Sequence, residues 1–394
     1  MTSIRSSRPQ ANRWASLLGL GSFVAAAIFW YGGGYLAVAD NDLINFRDVD
    51  YYVSIFFMTA MIVYLVSRSY HSTSTRLLNV ATEKLNDRRI VFGVIALLVA
   101  YGMLRSIGGT LYSVHGIRIV QVAGIIAGVM LLKDTGRYRL LYGALFAVAA
   151  VLCLSAYSRR PFLTLAAVPI ILYFARSNAR QKTVVSAAIA VVIAALALVF
   201  VTGLRSYSWD GGLGEVPVVM ARGMDFLSQT NGFDTIWLLD YVVATYPERH
   251  PFLNGSSLLG ALLNPIPRAW WPDKPNAFGV DLASLYFNVL PDRIPTNFGP
   301  GIVTEAYANG GGLMVILWAA GLGYILARFD LFAWSRQATA LGRIAIVMVP
   351  PVIFFLIRGD LLNSWYEFYV KAAPALLVLN YAGAEFRVGR GQLR

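Results

Sequence analysis

The chain has 394 residues, of which 57% are hydrophobic and only 14% charged, and its formal net charge is +12. Soluble globular proteins carry about 25% charged residues, so this composition excludes an ordinary soluble enzyme. The one cysteine, Cys153, lies in an apolar run, which excludes an internal disulfide and a cysteine-based metal cluster. The three histidines, His71, His115 and His250, argue against a multi-histidine metal site. We therefore expect no metal and no cofactor.

Apolar runs long enough to cross a bilayer, which takes about 20 residues, recur along the chain. They predict an all-α polytopic membrane protein with about ten transmembrane helices. The predicted spans are 14–36, 50–67, 90–105, 115–132, 140–157, 161–175, 183–203, 302–327, 344–357 and 362–383. Spans one to seven thus occupy residues 1–203, a loop covers 204–301, and spans eight to ten with a tail cover 302–394.

The N-terminal apolar run predicts a membrane anchor. Three arginines precede the run Trp14–Tyr31, and the small residues Ala37-Val38-Ala39 after it resemble a signal-peptidase cleavage site. The run is long for a cleaved signal peptide, so we favour a retained signal anchor over a signal peptide.

Basic residues alternate between the two sides of the predicted membrane. With the N-terminus inside, the cytoplasmic segments hold 20 of the 33 Lys and Arg but only five acidic residues, a net charge of +15. This asymmetry follows the positive-inside rule and predicts that both termini are cytoplasmic. Topology therefore explains the overall positive charge, and no nucleic-acid partner is needed.

The segment 204–301 is the one long outward connection. Its many aromatic residues predict an ordered loop. Helical periodicity over Val218–Tyr246 predicts amphipathic helices that lie on the membrane surface or against the bundle. The following stretch, Leu262–Gly279, contains four prolines and the adjacent Trp270 and Trp271, which predict a rigid, aromatic surface.

Outward-facing basic residues are mostly arginine, eleven against two lysines. The planar guanidinium group suits diphosphate and carboxylate oxygens, so this bias favours anion recognition. Each arginine could instead pair with an outward acid or contact lipid headgroups, and both alternatives stay open. The basic residues of interest are Arg159, Arg160, Arg222, Arg268, Lys274 and Arg358.

Acidic residues near the outward ends of spans are candidates for chemistry. Glu305 lies near the outward end of span eight, where a carboxylate is costly unless it faces a polar cavity or a partner. Arg358-Gly359-Asp360 forms a charged turn between spans nine and ten. Glu367 and Lys371 form an i, i+4 pair that is either structural or functional. Few charges fall at mid-span, which favours chemistry at the outward surface over ion-coupled transport.

These parts fit a substrate with a lipid tail, a diphosphate and a sugar head. The spans would hold the tail, the arginines the diphosphate, and the aromatic loop the sugars. Glycosyl transfer from such a donor needs no nucleotide, because arginines can stabilise the departing diphosphate. The acceptor hydroxyl needs a carboxylate or histidine as general base.

Short motifs follow one another along the outward segments. They are Ser158-Arg159-Arg160, Arg222, Phe233-Asp234, Asn254-Gly255-Ser256, Asn264-Pro265-Ile266-Pro267-Arg268, Trp271-Pro272-Asp273-Lys274-Pro275, Thr304-Glu305-Ala306-Tyr307-Ala308-Asn309-Gly310 and Arg358-Gly359-Asp360. These motifs, in this order, resemble those of the Wzy-type polymerases, which build O-antigen, capsule and exopolysaccharide from oligosaccharide repeat units. The resemblance covers about residues 155–365, and Thr304 stands where the family pattern has glycine.

This resemblance implies a GT-C-like glycosyltransferase of the bacterial inner membrane whose active site faces the periplasm. It would transfer a growing chain from undecaprenyl pyrophosphate to a lipid-linked repeat unit, with inversion and without metal. A chain-length regulator, a flippase and membrane lipids are the implied partners.

The resemblance also implies roles for individual residues. Glu305 is the first candidate for the base and His250 the second. Arg159, Arg268 and Arg358 would hold diphosphate or sugar acid groups, although Arg268 could instead tie its loop to Asp273 or Glu305. The remaining candidate substrate-binding residues are Arg160, Arg222, Trp270, Trp271, Lys274, Tyr307 and Asp360.

Two other functions compete with polymerisation. An O-antigen ligase uses the same donor but passes the glycan to lipid A-core. A lipid-linked oligosaccharide flippase or other transporter predicts internal symmetry and a basic central cavity, and neither is visible in the sequence.

Overall fold

The computed structural model describes residues 17–38, 44–72, 85–107, 116–133, 138–155, 159–176, 196, 199–200, 202–204, 213–228, 234–266, 270–294, 298–336 and 339–383. Every regular element within these ranges is helical, and no strand occurs in them, so the described fold is all-α.

Fifteen α-helices follow one another in the described ranges. They are α1 Leu18–Ala27, α2 Gly33–Val38, α3 Phe46–Ser72, α4 Asp87–Ile107, α5 Ile117–Lys133, α6 Arg139–Ser155, α7 Arg159–Arg176, α8 Val216–Ser228, α9 Thr235–Thr245, α10 Ser256–Leu262, α11 Phe278–Phe287, α12 Ile302–Ala308, α13 Gly311–Arg336, α14 Ala340–Arg358 and α15 Leu361–Tyr381. A π-helical turn, Ile28–Gly32, joins α1 to α2, and short 3₁₀ turns lie at Leu213–Glu215 and Pro291–Arg293.

Four of the described helices are long and apolar enough to cross a membrane. They are α3, α4, α13 and α14, over Phe46–Ser69, Asp87–Ser106, Gly311–Ala333 and Ala340–Arg358. These helices indicate membrane association. Nine of the ten predicted spans overlap a described helix, and most of 183–203 lies outside the described residues. The count of ten spans stays a prediction.

Helices α3 and α13 pack closely along their length. The buried side chains of α3 recur every three or four residues, as expected for one face of a helix; they are Val49, Val53, Phe56, Ala60 and Tyr64. A Cβ atom at Gly323 of α13 would collide with the Ala60 carbonyl oxygen, so this glycine sets the close approach of the two backbones.

Two apolar cores hold the helices together. The first joins α1, α3, α9, α12 and α13, and the second joins α4 to α7 with α14 and α15. Helix α9 belongs to the first core, because Ile236, Leu239 and Val242 are fully buried in it. Of the two placements predicted for helices of the long loop, α9 therefore takes the one against the bundle.

The predicted span 302–327 is in fact two helices. A turn at Asn309 and Gly310 separates α12 from α13, and Gly311 has a φ of +66°, which favours glycine. The ring of Phe252 fills the space beside Gly311, 3.3 Å from where a Cβ would lie. The membrane-length helix thus begins at Gly311, and Glu305 precedes it.

A buried carboxylate joins three helices at the opposite end of the bundle. Asp330 lies three residues after the predicted span 302–327, in what would be a cytoplasmic connection, but the structure buries it fully within α13. Its carboxylate accepts from the backbone N–H of Gly19 at 2.6 Å and of Leu20 at 3.2 Å, and from the Tyr64 hydroxyl at 2.8 Å. Arg68 stands 3.9 Å from the same carboxylate. Asp330 therefore satisfies N–H groups that the first turn of α1 would leave unpaired.

Candidate functional site

The short helix α12 carries Glu305 into the protein interior. All of its residues are buried. Gly301 precedes it with φ 83° and ψ 149°, a conformation that side chains disfavour, and a Cβ there would lie 2.7 Å from the Tyr31 hydroxyl. That hydroxyl accepts from the Val303 N–H at 3.3 Å. The entry of the chain into α12 is thus fixed against the π-helical turn.

Glu305 is a buried acid whose hydrogen bonding is incomplete. It is 0% exposed, and its Oε2 atom accepts from the backbone N–H of Leu361 at 2.7 Å. The Ser257 hydroxyl lies near enough to favour the charged form of the carboxyl group. Its Oε1 atom has no partner in hydrogen-bonding geometry among the described residues. A buried carboxylate oxygen without a hydrogen-bond donor lowers the stability of the fold unless another group binds it. Glu305 Oε1 is therefore a candidate for contact with a substrate.

A second buried carboxylate stands beside Glu305. Asp360 is 1% exposed and caps α15, accepting from the Asn363 backbone N–H at 2.7 Å and side-chain Nδ2 at 2.9 Å. It also accepts from the Gly279 N–H at 3.4 Å, which ties α11 to this end of the bundle.

The environment raises the pKa of Glu305. Burial is the largest cause, and the neighbouring Asp360 charge adds to it, while the Leu361 N–H and the Ser257 hydroxyl oppose the shift. A carboxyl group with a raised pKa exchanges a proton more readily near neutral pH than an ordinary glutamate does. Glu305, with the Asp360 carboxylate beside it, is therefore suited to proton transfer.

Residues 253–257 are fastened onto the end of α12 by Asn309. Its Oδ1 accepts from the Gly255 N–H at 3.0 Å, and its Nδ2 donates to Ser257 Oγ at 2.8 Å and to the Glu305 carbonyl oxygen at 2.7 Å. The Leu253 N–H donates to the Ala308 carbonyl oxygen at 2.9 Å. Asn309 thus holds Ser257 next to Glu305, a role that the sequence motif did not reveal.

Arg358 is held between an aromatic ring and an acid. Its guanidinium group lies 4.9 Å from the centre of the Trp30 ring and 3.8 Å from Asp234 Oδ1. Asp234 Oδ2 accepts from the Gly299 N–H at 3.4 Å. Burial raises the pKa of Asp234, and the Arg358 charge opposes that shift. An ion pair with an outward acid was one of the two alternatives for such arginines, and the predicted diphosphate contact of Arg358 stays a prediction.

Lys274 cross-links the backbone of the proline-rich stretch Leu262–Gly279. Lys274 is buried, and its Nζ donates to the carbonyl oxygens of Asn264 at 2.7 Å and Ile266 at 3.1 Å. Trp270 is 82% exposed and Trp271 half-buried. Arg268 lies outside the described residues, so its partner stays open. The structure therefore uses Lys274 to hold the loop that presents Trp270, whereas the sequence suggested substrate contact.

Replacing Lys274 by Met is expected to loosen this stretch. The change leaves two carbonyl oxygens without their charged donor, which costs about 1–3 kcal/mol. Limited proteolysis of the purified protein should then cut more rapidly between residues 263 and 277. Lys274→Arg, which keeps donors on the side chain, serves as the control. Equal cleavage rates for Lys274→Met and the unchanged protein would contradict the structural role.

The remaining predicted residues lie on α8, after α9 and at the start of α7. Arg222 is exposed on α8, and the half-buried His250 ring is tilted by 48° against the Tyr246 ring, with 5.7 Å between the ring centres. Arg159 and Arg160 begin α7, but their side chains are not among the described groups.

Tyr307 lies in the same short helix as Glu305. It is buried and packs edge-on against Tyr52, with 4.7 Å between ring centres, and against Phe252 at 6.1 Å. The described contacts therefore give Tyr307 a packing role. Of the predicted residues, the structure brings Glu305 and Asp360 together, with Arg358 two positions before Asp360.

No protein family, curated protein or solved structure matches the chain. Among the described residues, no group of three or more His, Cys, Asp or Glu side chains could hold a metal ion.

Proposed function

We propose that this protein is an integral membrane glycosyltransferase that polymerises lipid-diphosphate-linked oligosaccharide repeat units into a surface polysaccharide. In this proposal it has ten spans and a GT-C-like fold in a bacterial inner membrane, with both termini cytoplasmic. One observation carries the proposal: Glu305 is fully buried beside Asp360, before a membrane-length helix, and its Oε1 atom has no partner among the described residues.

In the proposed reaction, Glu305 acts as general base. Its Oε1 atom accepts the proton of the acceptor hydroxyl as that oxygen bonds to the anomeric carbon of the donor, with inversion. The bond from that carbon to the diphosphate breaks, and the diphosphate leaves with the electron pair. Arginine side chains stabilise the negative charge of the leaving group, and we assign this role to Arg159 and Arg268. Glu305 then loses its proton to water.

The aromatic loop supports the sugar-binding part of the proposal. Trp270 is exposed, and it belongs to the stretch whose backbone Lys274 holds through a hydrogen bond to the Asn264 carbonyl oxygen. An exposed indole on a fixed loop can stack against a sugar face with little loss of side-chain entropy. We therefore assign sugar contact to Trp270 and Trp271.

The polymerisation rate is expected to rise with pH through the raised pKa of Glu305. The base works only when deprotonated, so the half-maximal rate should lie well above the ordinary glutamate value of about 4.3. Because the folded pKa is raised, this group's contribution to stability falls as pH rises through that value. Unfolding temperature and elongation rate should be measured together against pH. A rate that is flat from about pH 5 to about pH 8 would contradict the assignment.

Gene deletion with complementation separates the competing functions. Loss of a polymerase leaves single repeat units on the surface acceptor, loss of a ligase leaves none, and loss of a flippase leaves repeat units on the cytoplasmic face. We expect single units, and restoration of long chains by the unchanged gene but not by Arg268→Ala or Glu305→Gln. A surface acceptor without any repeat unit would favour the ligase instead.

A further inference from the structure

The short helix α10 turns its small residues inward and its large apolar residues outward. Its buried residues are small, namely Ser257, Gly260 and Ala261. Its exposed residues are leucines, each between 37% and 54% exposed, namely Leu258, Leu259, Leu262 and the following Leu263. A helix in water shows the reverse pattern, because large apolar side chains gain most from burial. Small residues at the helix contact and leucines on the outside are typical of helices within a membrane.

Helix α10 packs against the N-terminal part of α15. A Cβ atom at Gly260 would lie 3.7 Å from Leu362 Cδ1, and the Asn264 side-chain amide donates to the Tyr369 hydroxyl at 3.5 Å. Leu362 and Tyr369 are two turns apart, which is about 10 Å along the axis of α15. Helix α10 therefore runs in the same direction as α15, from the end that carries Asp360 toward the middle of the bundle.

This part of α15 lies level with the end of a membrane-length helix. Helix α14 ends at Arg358, α15 begins at Leu361, and the two helices pack against each other. The first turns of α15 are therefore beside the last turns of α14, whose 19 residues are long and apolar enough to cross a membrane. A hydrocarbon core about 30 Å thick takes up nearly all of a helix of that length. Helix α10 thus lies at the depth of the hydrocarbon.

The chain after α10 pairs its backbone within the protein. Lys274 Nζ donates to the carbonyl oxygens of Asn264 and Ile266, and the Ile266 N–H donates to the Leu263 carbonyl oxygen at 3.0 Å. Water can satisfy such groups in an exposed loop, whereas hydrocarbon cannot. No charged residue occurs in the sequence 256–267. The backbone and the composition of this segment therefore both suit hydrocarbon.

We propose that the leucine face of α10 contacts the acyl chains of membrane lipids, in the leaflet at the end of the bundle that carries Glu305. A segment that the sequence predicts as part of an aqueous loop then enters the bilayer. The buried face of α10 carries Ser257, which accepts from Asn309 and neighbours Glu305. One short helix would thus separate Glu305 from lipid. The proposal does not rest on the proposed function, because it uses only the packing and exposure of α10.

Spin labels on single cysteines test the proposal in the full-length protein in phosphatidylcholine nanodiscs. The buried Cys153 is replaced by Ala in every variant. Labels at Leu259→Cys and Leu262→Cys report collisions with oxygen, which concentrates in hydrocarbon, and with nickel ethylenediaminediacetate, which stays in water. Leu317→Cys, at a position 51% exposed on the membrane-length helix α13, is the lipid reference. Glu248→Cys, at an exposed position between α9 and α10, is the water reference.

The ratio of oxygen to nickel collisions decides what faces the leucines. We expect the ratio at Leu259→Cys and Leu262→Cys to lie within about threefold of that at Leu317→Cys and about tenfold or more above that at Glu248→Cys. A ratio equal to that at Glu248→Cys would show that the leucines face water and would overturn the proposal. Protection from both reagents would show that a second copy or another protein covers them, which would also overturn it.

A second pair of variants gives the answer if the labels disturb α10. Leu259→Gln combined with Leu262→Gln places two amides in hydrocarbon and should lower the unfolding temperature in nanodiscs. Leu259→Met combined with Leu262→Met keeps an apolar surface and should unfold at the temperature of the unchanged protein. Equal unfolding temperatures for the two double variants would contradict a lipid-facing α10, since polar residues are tolerated where a helix faces water. Neither readout uses polymerisation, so a negative result leaves the proposed function standing.

Discussion

Replacing Glu305 by Gln is expected to lower polymer formation by about 10²–10⁴-fold while the protein still folds. The amide keeps the shape of the side chain and can still accept from the Leu361 N–H, which Glu305 Oε2 accepts at 2.7 Å. It cannot take a proton from an acceptor hydroxyl at neutral pH. Polymer length and yield in a strain that lacks the native gene provide the measurement.

A stability measurement separates a chemical role of Glu305 from a structural one. Since burial and Asp360 raise the pKa of Glu305, its ionisation opposes folding as pH rises. Glu305→Gln should therefore unfold at an equal or higher temperature than the unchanged protein at alkaline pH. His250→Gln, at the second candidate base, is the matched control and should retain polymerisation. Normal chain length in Glu305→Gln with loss in His250→Gln would move the base to His250.

Replacing Asp330 by Ala is expected to destabilise the fold by about 3–5 kcal/mol. The carboxylate is fully buried and accepts from two backbone N–H groups of α1 and from the Tyr64 hydroxyl. Its removal leaves these donors unpaired and Arg68 without its nearby acid. The loss should appear as a lower unfolding temperature in detergent and a lower yield in the membrane.

Two controls define the Asp330 effect. Asp330→Asn keeps one acceptor oxygen and should cost less than Asp330→Ala. Glu248→Ala removes an exposed acid and should change stability by no more than about 0.5 kcal/mol. An unfolding temperature for Asp330→Ala that equals that of the unchanged protein would show that α1 is held by apolar packing alone.

The helices themselves follow from local sequence, but two of their features do not. Apolar runs predict α3, α13 and α14, because bilayer length and helical periodicity are properties of neighbouring residues. At the break before α13, Phe252 packs beside Gly311 from a distant part of the chain, a contact that no local pattern shows. The sequence likewise predicts that Asp330 lies in a loop, because a local pattern cannot show its hydrogen-bond donors. These donors, Gly19 and Leu20, lie about 310 positions away.

The candidate site could be predicted only in part. Glu305 and Asp360 stand out in the sequence because an acid near the end of an apolar run is unfavourable unless it has a polar partner or a functional role. Their contact, by contrast, depends on the Leu361 N–H and on α12 entering the core, which no local pattern encodes. Ser257 and Asn309 were missed as site residues because a single serine at the start of a short helix, or an asparagine after one, gives no distinct signal. The Asn-Gly pair at 254–255 could have pointed to a tight turn there, and both residues have positive φ.

The most direct test of the central claim is elongation by the purified, detergent-solubilised full-length protein. It would be given lipid-diphosphate-linked repeat units from its own gene cluster, without added metal or nucleotide, and the products would be separated by size. We expect a ladder of chains that differ by one repeat unit, present with the unchanged protein and absent with Glu305→Gln. Absence of a ladder with the cognate repeat unit would contradict the proposed function. An equal ladder from Glu305→Gln would contradict the assignment of Glu305 as the base.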